Sequence, residues 1–446
     1  MARLNWAIQS GVPGALWPAL PRRGGDAVLA LLYQFDRTER YAPERLAALQ
    51  RAQLALLLSH AHQTSRFYRE HWGRNREFTS LPLLERRHLQ ERYDDIKSAR
   101  LPESHGRTAE SRTSGSTGAP VRVLKTELSQ LFWRAFTLRE HAWHGRDLAA
   151  RLAVIRHGVK GGEQKNWGPA TSGLIATGPA AGLNVRTEVG EQLDWLVAQK
   201  PKYLLTLASN LAELARMSLE RGVRIPTLAE ARSLGEILTP EARALCRAAW
   251  GVPVVDFYSS DEIGYMALQC PSGEHYHVQS ENVLLEVLND AGQPCAPGES
   301  GRVVVTDLHN FATPLVRYEI GDYAEVGGPC SCGRMLPVLT RVIGRKRNTL
   351  VAPDGRRYYP MFNLRHQTDV AKIRQYQFVQ KAPDRIEVRL VVSAPLAPAE
   401  ERKVEALIQE KLPAGIRLSF VYPERLERGS GGKFEDFVSE IAARPA

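Results

Sequence analysis

Cysteine is scarce in this chain, five residues in 446, too few and too unevenly spaced to build a disulfide framework. A stapled secreted domain is therefore excluded. The count fits a reducing, cytoplasmic setting, in which close-set thiols serve metal binding more readily than cross-linking. Long apolar runs are also missing: none approaches the roughly 20 residues that a membrane span needs. Residues 1–20 carry scattered apolar side chains, with Trp6 and Trp17, but neither the basic start nor the continuous apolar core of a signal peptide. Dense charge tracts are absent too. Lys and Arg outnumber Asp and Glu by 59 to 49, a formal charge of +10, yet they scatter from Arg22 to Arg444 without interleaved aromatics. That spread argues against nucleic acid as a partner and leaves phosphorylated small molecules as the natural complement of a basic chain. Finally, no Gly-Lys-Ser/Thr follows the glycine-rich stretch near residue 115, which excludes a Walker loop.

What is present is a soluble globular composition, 43% hydrophobic and 24% charged, in a chain long enough for two or three domains. Residues 44–66 have apolar positions at helical spacing, predicting a helix with Leu46, Leu49, Leu54 and Leu57 buried. His60 and His62 on that helix point apart and make no metal pair. A charged helix is expected over 85–93 and another over 128–143. From Leu152 onward short apolar strands alternate with helices: 152–155, 203–207, 210–221 and 252–257. This alternation predicts an α/β architecture with mainly parallel sheet. Residues 284–288 and 301–305 read as two strands joined by a turn-rich connection. After residue 343 the pattern changes to strand, strand, amphipathic helix, strand (373–379, 385–392, 400–412, 417–422), a small α+β domain. The expected organisation is a large multi-subdomain N-terminal domain, residues 1–343, and a small mobile C-terminal domain, residues 344–446.

The chemistry concentrates in a few stretches. Thr113-Ser114-Gly115-Ser116-Thr117-Gly118 packs four hydroxyls and two glycines into six positions ahead of a strand-like Val121-Arg122-Val123-Leu124-Lys125. Glycines let backbone N–H groups close on an anion, and hydroxyls add donors that can follow a moving phosphate oxygen. In a parallel sheet, ligands sit beyond the carboxyl ends of strands, which puts Gly235-Glu236 and Tyr258-Ser259-Ser260-Asp261-Glu262 on one rim. Read by composition alone, Ser-Ser-Asp-Glu is also a helix N-cap with an acidic first turn. Gly321-Asp322 offers a carboxylate whose two oxygens suit a cis-diol. Cys330-Ser-Cys332, with Cys270 and either His275 or His277 upstream, supplies three thiolates and an imidazole, a closed tetrahedral zinc set. Cys246 and Cys295 remain as ordinary thiols.

These stretches resemble the signatures of the adenylate-forming (acyl-CoA synthetase) superfamily and occur in its order. Thr-Ser-Gly-Ser-Thr-Gly-x-Pro is similar to the phosphate loop, although many members carry Lys where this chain has Ala119. Tyr258 to Glu262 resembles a Tyr-Gly-x-Thr/Ser-Glu motif, departing at Ser259 and Asp261. Arg317-Tyr318-x-x-Gly321-Asp322 resembles the Arg-Tyr-x-x-Gly-Asp motif. Arg341-x-x-Gly-Arg345 resembles the segment that closes the large domain, with Arg347 where the family hinge usually has Asp. Gly431-Gly432-Lys433 resembles the carboxy-terminal Gly-Lys signature. The cysteine arrangement resembles the phenylacetate–CoA ligase-like and capsule-biosynthesis-related branch, which favours His277, after Tyr276, as the fourth ligand with Cys270, Cys330 and Cys332.

The resemblance implies an enzyme that activates a carboxylic acid with ATP and Mg2+ as acyl-AMP, releases pyrophosphate, and passes the acyl group to a thiol, most simply coenzyme A. It gives Lys433 the adenylation role and Glu262 the magnesium. Thr113 to Gly118, Gly235, Glu236, Tyr258, Asp322 and Arg345 would bind the nucleotide. Trp133, His157 and Trp167 are candidates for the wall of the acid pocket. A carrier-protein thiol, an amine or a hydroxyl are alternative acceptors, and adenylylation of a cofactor hydroxyl is a related reaction. The non-enzyme alternative is a basic, zinc-stabilised binding protein.

Overall fold

The structure, a computed structural model, describes residues 6, 8–13, 15, 17–22, 24–75, 77–112, 120–159, 161–345, 350–354, 357–358, 372–410, 412–426, 434 and 437–441. The phosphate-loop residues Thr113 to Gly118, Arg347 and Lys433 lie outside that set. The chain divides into two compact units, Met1–Val342 and Ile343–Ala446.

The first unit opens with helices α1 (Gly25–Thr38), α2 (Pro43–Thr64), α3 (Arg66–Trp72), α4 (Arg86–Glu91) and α5 (Tyr93–Ile96). The expected burial of α2 needs one correction. Leu46, Leu54 and Leu57 are buried, but Leu49 is 50% exposed. From Leu46 the inward positions run through Gln50 and Gln53, whose amides donate to the carbonyls of Ser280, Val283 and Leu308. Polar side chains thus occupy part of the buried stripe, and Leu49 falls outside it. The charged segment after it forms two short helices, α4 and α5, rather than one.

A two-stranded hairpin, β1 (Thr108–Arg112) and β2 (Arg122–Thr126), leads into α6 (Glu127–Trp143). Thr126 caps α6 by accepting from the Ser129 N–H at 3.1 Å. The alternating region then builds a six-stranded sheet from β3 (Leu152–Ile155), β4 (Gly162–Gln164), β5 (Ala180–Leu183), β6 (Tyr203–Thr206), β7 (Glu230–Ser233) and β8 (Val254–Val255). Its order is β4-β5-β3-β6-β7-β8, parallel throughout except for the edge strand β4. Helices α7 (Val189–Gln199), α8 (Ala208–Glu220) and α9 (Pro240–Trp250) provide the crossovers. Thr239 caps α9, Pro240 fills its first turn, and Gly251 ends it in the left-handed conformation. Leu204, Leu211, Leu214 and Ala231 meet in the core between these helices and the sheet.

The parallel sheet is half of the answer. The expected strand 252–257 breaks at Asp256, and β9 (Phe257–Ser260) belongs to a second sheet. That sheet has seven strands, β9, β10 (Gly264–Gln269), β11 (Tyr276–Val278), β12 (Val283–Leu288), β13 (Ser300–Asp307), β14 (Tyr318–Val326) and β15 (Val338–Arg345), in the order β12-β13-β14-β15-β11-β10-β9. Its β9–β10, β10–β11, β11–β15, β12–β13 and β13–β14 ladders are antiparallel. Tyr318, Val303, Val305 and Leu315 join Phe67, Tyr68 and Leu84 of the N-terminal helices and their connections in one core against it.

The second unit pairs β16 (Leu350–Val351) with β17 (Arg357–Tyr358) and carries a four-stranded sheet. Strands β18 (Ile373–Ala382), β19 (Arg385–Val392), β20 (Arg417–Val421) and β21 (Phe437–Ser439) lie in the order β20-β19-β18-β21. The helix Pro398–Gln409 buries Val404 and Ile408 against Phe378, Val388 and Phe437. Among the described residues, no helix is long and apolar enough to cross a membrane.

Candidate active site and cysteine cluster

Three segments distant in sequence meet around β9. Tyr258 on β9 is buried, and its hydroxyl donates to the Asp322 carboxylate on β14 at 2.7 Å. Gly321, at φ 89°, sits immediately before that aspartate. No neighbouring atom would meet a Cβ there, so it is the left-handed backbone, not space, that calls for glycine. At the first residue of the Arg-Tyr-x-x-Gly-Asp stretch the chain is braced hard. Arg317, at φ 48°, clasps Glu286 in bidentate fashion at 3.1 and 3.0 Å and donates to the carbonyls of Thr79 and Leu81. A non-glycine residue in that region persists only where its surroundings over-determine it. Nothing in the sequence marks Arg317 as a clamp between β14 and the N-terminal segment.

The Ser259 to Glu262 stretch forms the end of β9 and a turn into β10, not a helix N-cap. Ser260 accepts from the Ile263 N–H at 3.2 Å, the local bond that a helix cap would have used, but the chain reverses as a hairpin instead. Glu262 is only 3% exposed and lies 3.6 Å from the Arg86 guanidinium. Ser111, at the end of β1, donates to the Asp261 carbonyl at 3.3 Å, so the β1–β2 hairpin is fastened to this turn.

Glu236 follows β7, and its carboxylate accepts from the Ser209 N–H at 2.8 Å in the first turn of α8. A carboxylate at a helix N-terminus satisfies an orphan donor and gains from the helix dipole. Gly235 precedes it at φ 71°. Behind the two loops lies Asp256, buried at the break between β8 and β9. Its carboxylate accepts from the Ser233 hydroxyl and from the Tyr276 hydroxyl, the latter at 2.6 Å. Burial pushes its pKa up to about 6, against the pull of those two donors. Asp256 thereby ties the strand that carries Gly235-Glu236 to the β10–β11 hairpin. Arg345 ends β15. Of the three candidates for a pocket wall, Trp167 is tied into the protein interior, donating to the Ala150 carbonyl at 2.9 Å and packing edge-on against Tyr203.

Cys270 follows β10, His277 lies on β11, and Cys330 and Cys332 lie between β14 and β15. One donor atom from each falls within 4.8 Å of all the others. The Cys270 and Cys330 sulfurs are 3.8 Å apart, and the Cys332 sulfur is 3.3 Å from His277 Nε2. Tetrahedral thiolates about 2.3 Å from a zinc ion would lie about 3.8 Å from one another. His277 Nδ1 donates to the Leu336 carbonyl at 3.4 Å, which leaves the Nε2 lone pair facing the thiols. His275 touches Cys330 Sγ at 3.0 Å but stands outside the four-atom group. Cys246 is buried apart, its thiol pushed up to about 12 by burial, and Cys295 is half-buried at the start of the β12–β13 connection's return.

No family model matches the chain. A phenylacetate-coenzyme A ligase of Thermus thermophilus is 24% identical over 448 residues, covering 90% of this chain and 98% of its own. An uncharacterized acyl-CoA ligase of Bacillus subtilis is 23% identical over 340 residues, 72% of this chain and 65% of its own. Among solved structures, 2-hydroxyisobutyryl-CoA ligase in the postadenylation state with 2-HIB-AMP aligns with a TM-score of 0.72 at 20% identity, over 91% of this chain and 92% of that one. The same ligase with 2-HIB-AMP and CoA in the thioesterification state aligns with a TM-score of 0.59 at 19% identity, over 90% and 91%. The fold is the one seen in 2-hydroxyisobutyryl-CoA ligase, and the likeness to the phenylacetate-coenzyme A ligase runs along nine-tenths of the chain.

Proposed function

We propose that the protein is an ATP-dependent acid–thiol ligase that converts a carboxylic acid to its coenzyme A thioester through an acyl-AMP. The observation that carries this reading is the convergence at β9: Tyr258 bonded to Asp322 at 2.7 Å, with Glu262 four residues further on in a turn fastened to the phosphate-loop hairpin. In the first half-reaction a carboxylate oxygen attacks the α-phosphorus of ATP, the bond to the β-phosphate breaks, and pyrophosphate leaves with its electron pair. In the second, a thiolate attacks the acyl carbon and AMP leaves. Positioning and neutralisation of developing charge supply most of the rate in such transfers.

Each side chain has a part in that scheme. Asp322 would accept from the ribose hydroxyls, its carboxylate oriented because Tyr258 already holds one oxygen. Tyr258 offers a ring face to the adenine. Glu236, locked to α8, would hold its loop at the adenine edge. Glu262 would hold the magnesium ion, which supplies neutralisation of the phosphate oxygens. Cys270, His277, Cys330 and Cys332 suit a zinc ion, which would be structural because four protein ligands leave no open position.

The test is pyrophosphate release with ATP, magnesium and a panel of carboxylic acids, followed by thioester detection when coenzyme A is added. An acid-dependent release that yields no thioester with coenzyme A would overturn the acceptor. No acid-dependent release across the panel would overturn the reading. For Asp322→Ala, ATP and AMP should both bind more weakly, by about 1.5–3 kcal/mol for the charge-assisted bonds lost. The unfolding midpoint should move little, and a nucleotide titration with unchanged affinity would remove Asp322 from the site.

A further inference from the structure

The sequence has no Lys or Arg within its phosphate loop, Thr113 to Gly118, or at Ala119 and Pro120 beyond it. The structure offers one elsewhere. Alternation along β2 and the residue before it places Val121, Val123 and Lys125 on the same face, and the two valines are 0% and 1% exposed. The Lys125 stem is therefore carried inward, opposite Ala109 of β1. The strand is held there by Thr313, whose hydroxyl accepts from the Leu124 N–H at 2.9 Å, and by Asn310, whose amide donates to the Leu124 carbonyl at 2.9 Å.

Three carboxylates favour the charged form of the ammonium: Asp307 at the end of β13, and Asp261 and Glu262 in the turn after β9. Yet among the described residues the Lys125 ammonium closes no ion pair within 4.0 Å and makes no hydrogen bond. Burial lowers its pKa even though all three carboxylates favour the charged form. Two of the three are otherwise engaged. Asp307 accepts from the backbone N–H groups of His309 and Asn310, and Glu262 already faces Arg86 at 3.6 Å. Lys125 is half-buried, so a ligand from solvent can still reach a cation that no side chain pairs with directly. The residues around it include the carboxylate assigned to magnesium and the turn that holds the phosphate-loop hairpin.

We propose that Lys125 is the phosphate-binding cation of this site, engaging the β- and γ-phosphates of ATP and the departing pyrophosphate from β2 in place of a lysine within the loop. The inference rests on the ligase reading above and adds a residue to it. A polyphosphate held between a metal on Glu262 and the Lys125 ammonium would be gripped from two sides, and AMP, lacking those phosphates, would not feel the lysine.

The discriminating experiment compares ATP, magnesium pyrophosphate and AMP binding in wild type, Lys125→Gln and Lys125→Arg, with the unfolding midpoint of each. Lys125→Gln should weaken ATP and pyrophosphate about 10- to 100-fold, the range for loss of a charge-assisted contact, and leave AMP unchanged. Lys125→Arg should recover most of the loss. Equal weakening of ATP and AMP, or a lowered midpoint with no change in the ATP-to-AMP ratio, would make Lys125 a structural partner of Asp307 and overturn the proposal. Wild-type protein that binds neither ATP nor AMP would overturn the ligase reading itself, a different outcome from any of these.

Discussion

Cys332→Ser should leave the purified protein without stoichiometric zinc, lower its thermal stability and, in consequence, abolish activity. The expectation starts from geometry. Four donor atoms from two hairpins converge within 4.8 Å, and the histidine among them is fixed in the right tautomer by the Leu336 carbonyl. Ligands must deprotonate and converge to bind, so metal affinity becomes folding free energy, about 10–16 kcal/mol for structural zinc in small zinc-finger peptides. A serine hydroxyl is a far poorer ligand than a thiolate. Losing even a supporting hydrogen bond costs a metal site about 10- to 100-fold in affinity, so loss of a ligand should exceed that. At saturating metal, a 100-fold loss corresponds to about 2.7 kcal/mol of stability.

The loss should reach the nucleotide site because of what the cluster joins. β11 pairs with β10 on one side and β15 on the other, and Tyr276, between His275 and His277, is bonded to Asp256. Asp256 in turn takes the Ser233 hydroxyl ahead of Gly235-Glu236. Loosening the cluster would free that chain of contacts. Elemental analysis of carefully purified wild-type protein decides the point: absence of stoichiometric zinc would return the cysteines to free thiols. His275→Ala serves as the comparison, since His275 touches Cys330 but lies outside the four-atom group, and its zinc content should hold.

How much of this was legible in the sequence depends on the range over which each signal acts. Gly235, Gly321 and the cap at Thr239 are local: a left-handed backbone or an orphan N–H is solved within a few residues, so the residue type announces the geometry. The parallel sheet was legible for the same reason, because each βα unit repeats a short pattern. The seven-stranded sheet was legible only at its β12–β13 hairpin, where two apolar runs flank a turn-rich connection. Its β11–β15 ladder joins residues about sixty positions apart, and neither strand's apolar pattern names its partner. The helix-cap reading of Ser259 to Glu262 failed because tertiary pairing of β9 with β10 overrode a local preference. Leu49 was misplaced because Gln50 and Gln53 use the inward positions for hydrogen bonds that composition cannot reveal. Lys125 was read only as part of an alternating strand, since its meaning comes from carboxylates far along the chain.

Lys433→Ala should cut adenylate formation by about 10²–10³ while the protein stays folded, a loss of about 2.7–4 kcal/mol of transition-state stabilisation. The motive is the sequence: a lysine preceded by Gly429-Ser430-Gly431-Gly432, matching the carboxy-terminal signature of the adenylate-forming enzymes. What the structure adds concerns the described core of the second unit. The core of the second unit is built from Phe378, Ile386, Val388, Leu390, Val404, Ile408 and Phe437, none of which the substitution changes. Strand β21 begins four residues after Lys433 and pairs in parallel with β18, Phe437 opposite Phe378. The expected signature is therefore selective. Acid-dependent ATP–pyrophosphate exchange should collapse, while the unfolding midpoint and AMP binding hold. Thioester formation from chemically supplied acyl-AMP should also survive, because attack by the thiol needs no charge stabilised on a departing pyrophosphate. Exchange close to the wild-type rate would take Lys433 out of the mechanism. Equal loss of both half-reactions would make it a residue of general structural importance instead.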